Sequence, residues 1–166
     1  MIDVAALRAH PIFAGLSEAQ LASVAAVLVR RTVPAGETIF AEGERSSSLY
    51  LLTSGSVGTS KRLGLAARDG DGSTKQKMLV HLRAPQFFGE MGLLSDLARS
   101  ATISTDAECE LLELRRADFE RLAQSDPALG FLLVRNVAVV MAERLRRTDL
   151  EVLKLTTALS LALGNR

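Results

Sequence analysis

Hydrophobic and polar positions along the 166-residue chain fall into three textures. Between residues 17 and 29, Leu21, Val24, Ala25 and Leu28 recur with helical spacing and share one face. Ser17 followed by Gln20 has capping-box spacing, and Leu16 with Leu21 can close a hydrophobic staple over the helix start. From Arg31 the pattern becomes short alternating runs broken by glycine. Residues 32–33, 38–41, 48–53 and 57–61 read as strands, with turns at Gly36, Gly43 and Gly55, and residues 78–82, 101–106 and 109–114 continue the series. Residues 117–124 predict a short helix with Phe119 and Leu122 facing inward; Asp126 and Pro127 then supply an N-cap and a proline suited to the first turn of a long last helix.

Many short strands at this spacing predict a mainly β fold with flanking helices (α+β), built on a barrel or jelly roll. The last helix carries a second signal. Val134, Ala138, Met141, Leu145, Thr148, Val152, Leu155, Leu159 and Ala162 recur at alternating steps of four and three, the spacing of a coiled-coil seam. Packing on its own barrel is the alternative, but at ~1.5 Å per residue a helix continuing past Arg147 outruns a barrel. The expectation is therefore a homodimer, with parallel helices, and a division into residues 1–125 (barrel and N-terminal helix) and 126–166 (dimer or lid helix).

Composition narrows the functions. Hydrophobic residues at 48% and a mean hydropathy of +0.19 fit a globular chain. A formal charge of +1 gives no support to nucleic acid as the main partner. The single Cys109 rules out an internal disulfide or a multi-cysteine zinc site, and should be a small strand residue. No leader-like start and no apolar run near the ~18 residues of a membrane span are present, so a cytoplasmic protein without a membrane is expected. Residues 63–77 predict a polar hairpin tip; Asp69, Asp71 and Ser73 alternate as in a calcium loop, but Val80 stands where the closing glutamate belongs, so no metal is expected. His10 is expected to cap or to lie exposed. With two histidines, one cysteine and no paired acids in a cleft, nothing names a nucleophile and base, and no enzyme is expected.

The chemistry concentrates in residues 87–103. Gly89 sits where a strand gives way to a helical turn over residues 90–94, and without a Cβ its backbone can approach a ligand closely. A helix start offers N–H groups to an anion. Arg99 can return a planar guanidinium to two phosphate oxygens, and Ser100 and Ala101 add a hydroxyl and backbone donors at low bulk. Glu90 would repel a bare phosphate but accepts a hydrogen bond from a ribose 2′-OH, which suggests a cyclic nucleotide. Residue types alone leave open a surface loop in which Arg99 and Glu90 pair with each other or with water.

The run Phe88-Gly89-Glu90-Met91-Gly92-Leu93-Leu94, four further residues, then Arg99-Ser100-Ala101-Thr102-Ile103 resembles the phosphate-binding cassette of cyclic nucleotide-binding domains, known from catabolite activator proteins, kinase regulatory subunits and gated channels. The resemblance implies a double-stranded β-helix jelly roll, with Glu90 on the ribose 2′-OH, Arg99 on the cyclic phosphate, and Gly89, Met91, Ser100 and Ala101 around them. Gly92 and Ala98 depart from the usual Ala and Pro. Residues 36–55 resemble the front half of the same barrel, and residues 10–16 its lead-in, with Ile12 and Phe13 as core anchors. Residues 141–149 are similar to the dimer helix of catabolite activators, which implies that Thr148 and Asp149 read the base, one of them across a dimer; the family places Ser after the Thr, so Asp149 departs. Arg144, Arg146 and Arg147 read as a solvated face, with Arg144 a candidate partner for Glu90. Ser100, where domains preferring cyclic GMP often carry Thr, points to cyclic AMP as ligand, with cyclic GMP the alternative.

The implied function is a sensor that signals through its last helix to an unidentified downstream protein. The alternatives are a catabolite activator-type transcription regulator and a ligand-free dimerisation module. The chain reaches Arg166 without a helix-turn-helix, so direct DNA binding is not expected unless these residues are a fragment.

Overall fold

The structure, a computed structural model, describes residues 2–62 and 76–164. The expected hairpin tip, with Asp69, Asp71 and Ser73, falls almost wholly outside them.

Ser17 caps helix α2 (Glu18–Val27) through the predicted box: its hydroxyl accepts from the Gln20 N–H, and the Gln20 side chain accepts from the Ser17 N–H. Ahead of it lie α1 (Val4–Leu7) and a 3-10 turn (Pro11–Phe13) that buries Ile12 and Phe13. His10 departs from expectation. It is only 2% exposed, makes no side-chain cap, and leaves Nδ1 without a partner.

Among the described residues eight strands follow: β1 (Val29–Val33), β2 (Thr38–Phe40), β3 (Ser48–Ser54), β4 (Ser56–Arg62), β5 (Gln76–Arg83), β6 (Gln86–Phe88), β7 (Thr102–Thr105) and β8 (Cys109–Arg115). They form two antiparallel four-stranded sheets, ordered β1-β8-β3-β6 and β2-β7-β4-β5, the jelly roll. Between β6 and β7 stands α3 (Glu90–Leu94); α4 (Arg116–Ser125) and α5 (Pro127–Gly164) close the chain.

Strands β3 and β8 of the first sheet are buried on both faces because they alternate two kinds of apolar contact, whereas β1 at its edge is largely exposed. Along β3, Leu49 and Leu51 face a helical layer, whereas Tyr50 and Leu52 face the barrel interior with Phe40, Val57, Phe88 and Ile103. Strand β8 does the same, with Leu112 and Leu114 toward the helices and Cys109 and Leu111 toward the barrel. This explains why β3 reads as a continuous apolar run rather than an alternating one.

Helix α5 begins as predicted, with the Asp126 carboxylate accepting from the Leu129 N–H at 3.0 Å and from the Gln20 amide at 2.9 Å. Those bonds, the one to Gln20 foremost, hold the carboxyl below its ordinary pKa. Leu129, Leu133 and Val137 bury one stripe of the helix. Beside them Asn136, which the hydrophobic pattern did not single out, donates to the carbonyls of Ile12 and Ala14 at 2.9 and 2.8 Å and so fastens the 3-10 turn to α5. From Leu145 to the end of the helix every described residue is exposed. All nine positions of the predicted seam are exposed as well. The seam therefore lies off the face that α5 packs on its own barrel.

Candidate functional site

Gly89 caps α3 with φ 79°, a left-handed conformation that only glycine adopts at little cost. A Cβ there would lie 2.7 Å from Arg99 Nη1. The chain thus turns sharply over the guanidinium that returns from residue 99. Arg99 is 4% exposed. Its Nη1 donates to the Gly89 carbonyl at 2.9 Å, and its Nη2 donates to the Ser46 hydroxyl and the Ser48 carbonyl, both at 2.8 Å. The guanidinium lies 4.0 Å from the centre of the Phe40 ring, in cation–π range. Burial lowers its pKa, with Tyr50, Glu44, Glu90 and Glu113 opposing the shift; an arginine so placed stays charged.

Glu90 does not pair with Arg99 in the manner of a closed surface loop. Its carboxylate accepts from Arg144 Nη1 at 2.9 Å, and Arg144 Nη2 donates to the Phe87 carbonyl at 2.5 Å while its guanidinium lies 5.0 Å from the Phe87 ring centre. Of the basic run on α5, Arg144 thus leaves solvent partly behind and ties the helix to the cassette. Arg116, at the start of α4, secures the other end of α3 by donating to the carbonyls of Gly92 and Ser95 and pairing with Asp96.

These groups surround a cavity of about 130 Å³ lined by Gly89, Glu90, Met91, Arg99, Ser100 and Ala101, together with Arg144 and the apolar Phe40, Leu82, Phe88 and Ile103. All six cassette residues singled out in the sequence meet there. Thr148 lines a second, wider cavity of about 650 Å³, which shares Thr59, Leu82 and Arg144 with the first. Its wall combines β5 and β6 (His81, Arg83, Gln86) with Arg147, Thr148 and Glu151 of α5. Asp149 is exposed and lines neither cavity of its own chain. The arrangement offers a cation and small, tightly turned backbone at one end, a carboxylate beside them, and a roomier polar chamber next door. An anionic group, an adjoining hydroxyl and a larger ring system would be accommodated in that order. Ser46, Ser48 and Phe40, which hold Arg99, gave no signal in the sequence, because they lie more than fifty positions from it and only the barrel brings them together.

The profile of the cyclic nucleotide-binding domain matches residues 30–126, more than half the chain. The chain belongs to the cyclic nucleotide-binding domain family. It is 34% identical to the cyclic AMP receptor protein of Thermus thermophilus over 146 residues, covering 88% of this chain and 62% of that protein. Among solved structures, it is similar to the Thermus thermophilus catabolite activator protein, at 34% identity and TM-score 0.71, over 88% of this chain and 63% of that one. It is also similar to the regulatory domain of Toxoplasma gondii PKA, solved with cAMP, at 27% identity and TM-score 0.61, over 72% of this chain and 42% of that one. The chain thus spans less than two thirds of the length of each.

The family is one of cyclic nucleotide-binding regulatory domains. Among the described residues no group of three or more His, Cys, Asp or Glu could hold a metal, and no helix is long and apolar enough to cross a membrane.

Proposed function

We propose that this chain is a non-enzymatic sensor of cyclic nucleotide, with cyclic AMP its preferred ligand, that works in the cytoplasm as a homodimer. The observation that carries the reading is the convergence of Arg99, Glu90 and the turn at Gly89 on one cavity beside the wider chamber bordered by Thr148. In this reading Arg99 holds the cyclic phosphate, Glu90 accepts from the ribose 2′-OH, and the base enters the wider chamber, where Thr148 meets it. Asp149 reaches the base from the other protomer. Residues 1–125 form the binding domain and residues 126–166 the dimer and lid helix. Arg144 makes the connection between them, since a ribose hydroxyl on Glu90 alters the carboxylate to which α5 is tied. A ligand shifts the helix only by its differential affinity for the two arrangements. The helix then signals to a downstream protein.

Isothermal titration with cyclic AMP, cyclic GMP and non-cyclic AMP tests the reading. Saturable heat with the cyclic nucleotides, tightest for cyclic AMP and absent for AMP, is expected, and Arg99→Ala should weaken cyclic AMP binding by about 2 to 4 kcal/mol. No binding of either cyclic nucleotide by the folded protein would leave a ligand-free dimerisation module.

The match to 62% of the Thermus receptor favours a second reading, in which these residues are the sensory part of a longer catabolite activator-type transcription regulator. A gel shift at low salt with the protein purified from its own cells tests the second reading, which predicts retarded DNA where the first predicts none.

A further inference from the structure

A guanidinium carries five N–H donors in one plane. It meets two oxygens of a phosphate at once along either of two edges, Nη1 with Nη2 or Nε with Nη2, and both edges need an Nη2 hydrogen. In Arg99 both Nη2 hydrogens are occupied, one by the Ser48 carbonyl and one by the Ser46 hydroxyl, each at 2.8 Å. Nε is buried without a partner, so the edge it shares with Nη2 is half empty. A phosphate can be grasped at two points only after one of the Nη2 partners gives way.

The two partners are not equally able to leave. Ser48 accepts through its backbone at the start of β3, where it is paired with Arg115 of β8. Ser46 accepts through a side chain on the loop between β2 and β3, and a rotation about one bond removes it. That loop is matched to residue 99 along the backbone too: Arg99 N donates to the Glu44 carbonyl and Gly43 N to the Arg99 carbonyl, both at 2.9 Å. The bare backbone at Gly92 makes room for the arrangement, because a Cβ there would lie 2.6 Å from both Arg99 Nη1 and the Ser46 carbonyl.

We propose that Ser46 is a positioning residue that holds Arg99 in a ligand-free resting state, and that an incoming phosphate oxygen displaces the Ser46 hydroxyl from Nη2. The proposal rests on the assignment of the cyclic phosphate to Arg99. Ser46 is then a competitor for the guanidinium, and the affinity of the site is lower than its donors would otherwise give.

Titration calorimetry with cyclic AMP on the full chain, for the parent, Ser46→Ala and Ser46→Thr, with melting curves of each ligand-free protein, tests this. Ser46→Ala should bind cyclic AMP about tenfold more tightly, because only the free state loses a hydrogen bond to a charged group. Its ligand-free melting temperature should fall. Ser46→Thr keeps the hydroxyl and should restore the parent affinity. A residue that merely supports the fold would lower stability without tightening binding. Unchanged or weaker binding by folded Ser46→Ala, with the parent binding normally, overturns the proposal alone; a parent that binds no cyclic nucleotide overturns the site assignment with it.

Discussion

Leu133 and Leu155 stand on the same 38-residue helix, yet the first is 1% exposed and the second 68%. The contrast runs along the whole of α5. Up to Arg144 the helix lies against α4, the 3-10 turn and the cassette, and its apolar stripe is already covered. Beyond Arg144 the apolar residues continue, including Leu145, Val152, Leu155 and Leu159, and among the described residues no other element covers them. One helix therefore has two characters: a stripe of its first half is buried in the interior of the chain, and its second half leaves its apolar residues exposed among the described residues. Arg144 sits at the boundary between them, and it is also the residue that reaches the cassette.

That division can be tested by the same truncation on each side of the boundary. Leu133→Ala should lower the unfolding free energy by about 2 to 5 kcal/mol in a denaturant titration, the usual cost of a cavity in a packed core. Leu155→Ala in dilute protein should change it by less than about 0.5 kcal/mol. Equal losses would mean that the distal half is packed even in the monomer. The polar fastening of the first half should show a smaller effect. Asn136→Ala, which leaves the carbonyls of Ile12 and Ala14 without donors, should cost about 1 to 3 kcal/mol by the same measurement.

A charge in the seam probes the second half by itself. Leu155→Glu should shift sedimentation from dimer to monomer while leaving the dilute-protein unfolding midpoint close to that of the parent; a species that stays dimeric would place the interface elsewhere. The weakest effect comes from His10, far from the seam. Burial lowers its pKa, so the folded state favours the neutral ring. The unfolded chain therefore takes up a proton first as pH falls through about 6.5, and stability should decline from there toward the lower folded pKa. His10→Gln should flatten that acid-side slope in melts between pH 7.5 and 5, and an unchanged slope would assign it to another group.

Much of the fold was legible because its signals are local. Ser17 with Gln20 and Asp126 with Pro127 declare helix starts within four residues of themselves, and the cassette is a contiguous run whose turn, at Gly89, demands a residue without a side chain. The heptad spacing of α5 is likewise a one-dimensional pattern, and its nine positions lie off the stripe of Leu129, Leu133 and Val137 that packs on the rest of the chain. The partition of the apolar run in β3 was not legible. Leu49 and Leu51 on one side, and Tyr50 and Leu52 on the other, are all apolar, and only the presence of a helical layer and a barrel interior on opposite faces assigns them.

By itself the sequence determined the jelly roll's strand-and-turn rhythm, the helix starts and the residues that make the cassette, since each depends on neighbours a few positions apart. Only the tertiary structure decided what those residues touch. Arg99 meets Ser46 and Ser48, Asn136 meets the 3-10 turn, and His10 is enclosed, through contacts spanning fifty to more than a hundred positions for the first two. Such contacts exist because closing a barrel brings distant strands together, and a hydrogen-bonding side chain leaves no periodic trace of a partner that arrives from so far along the chain.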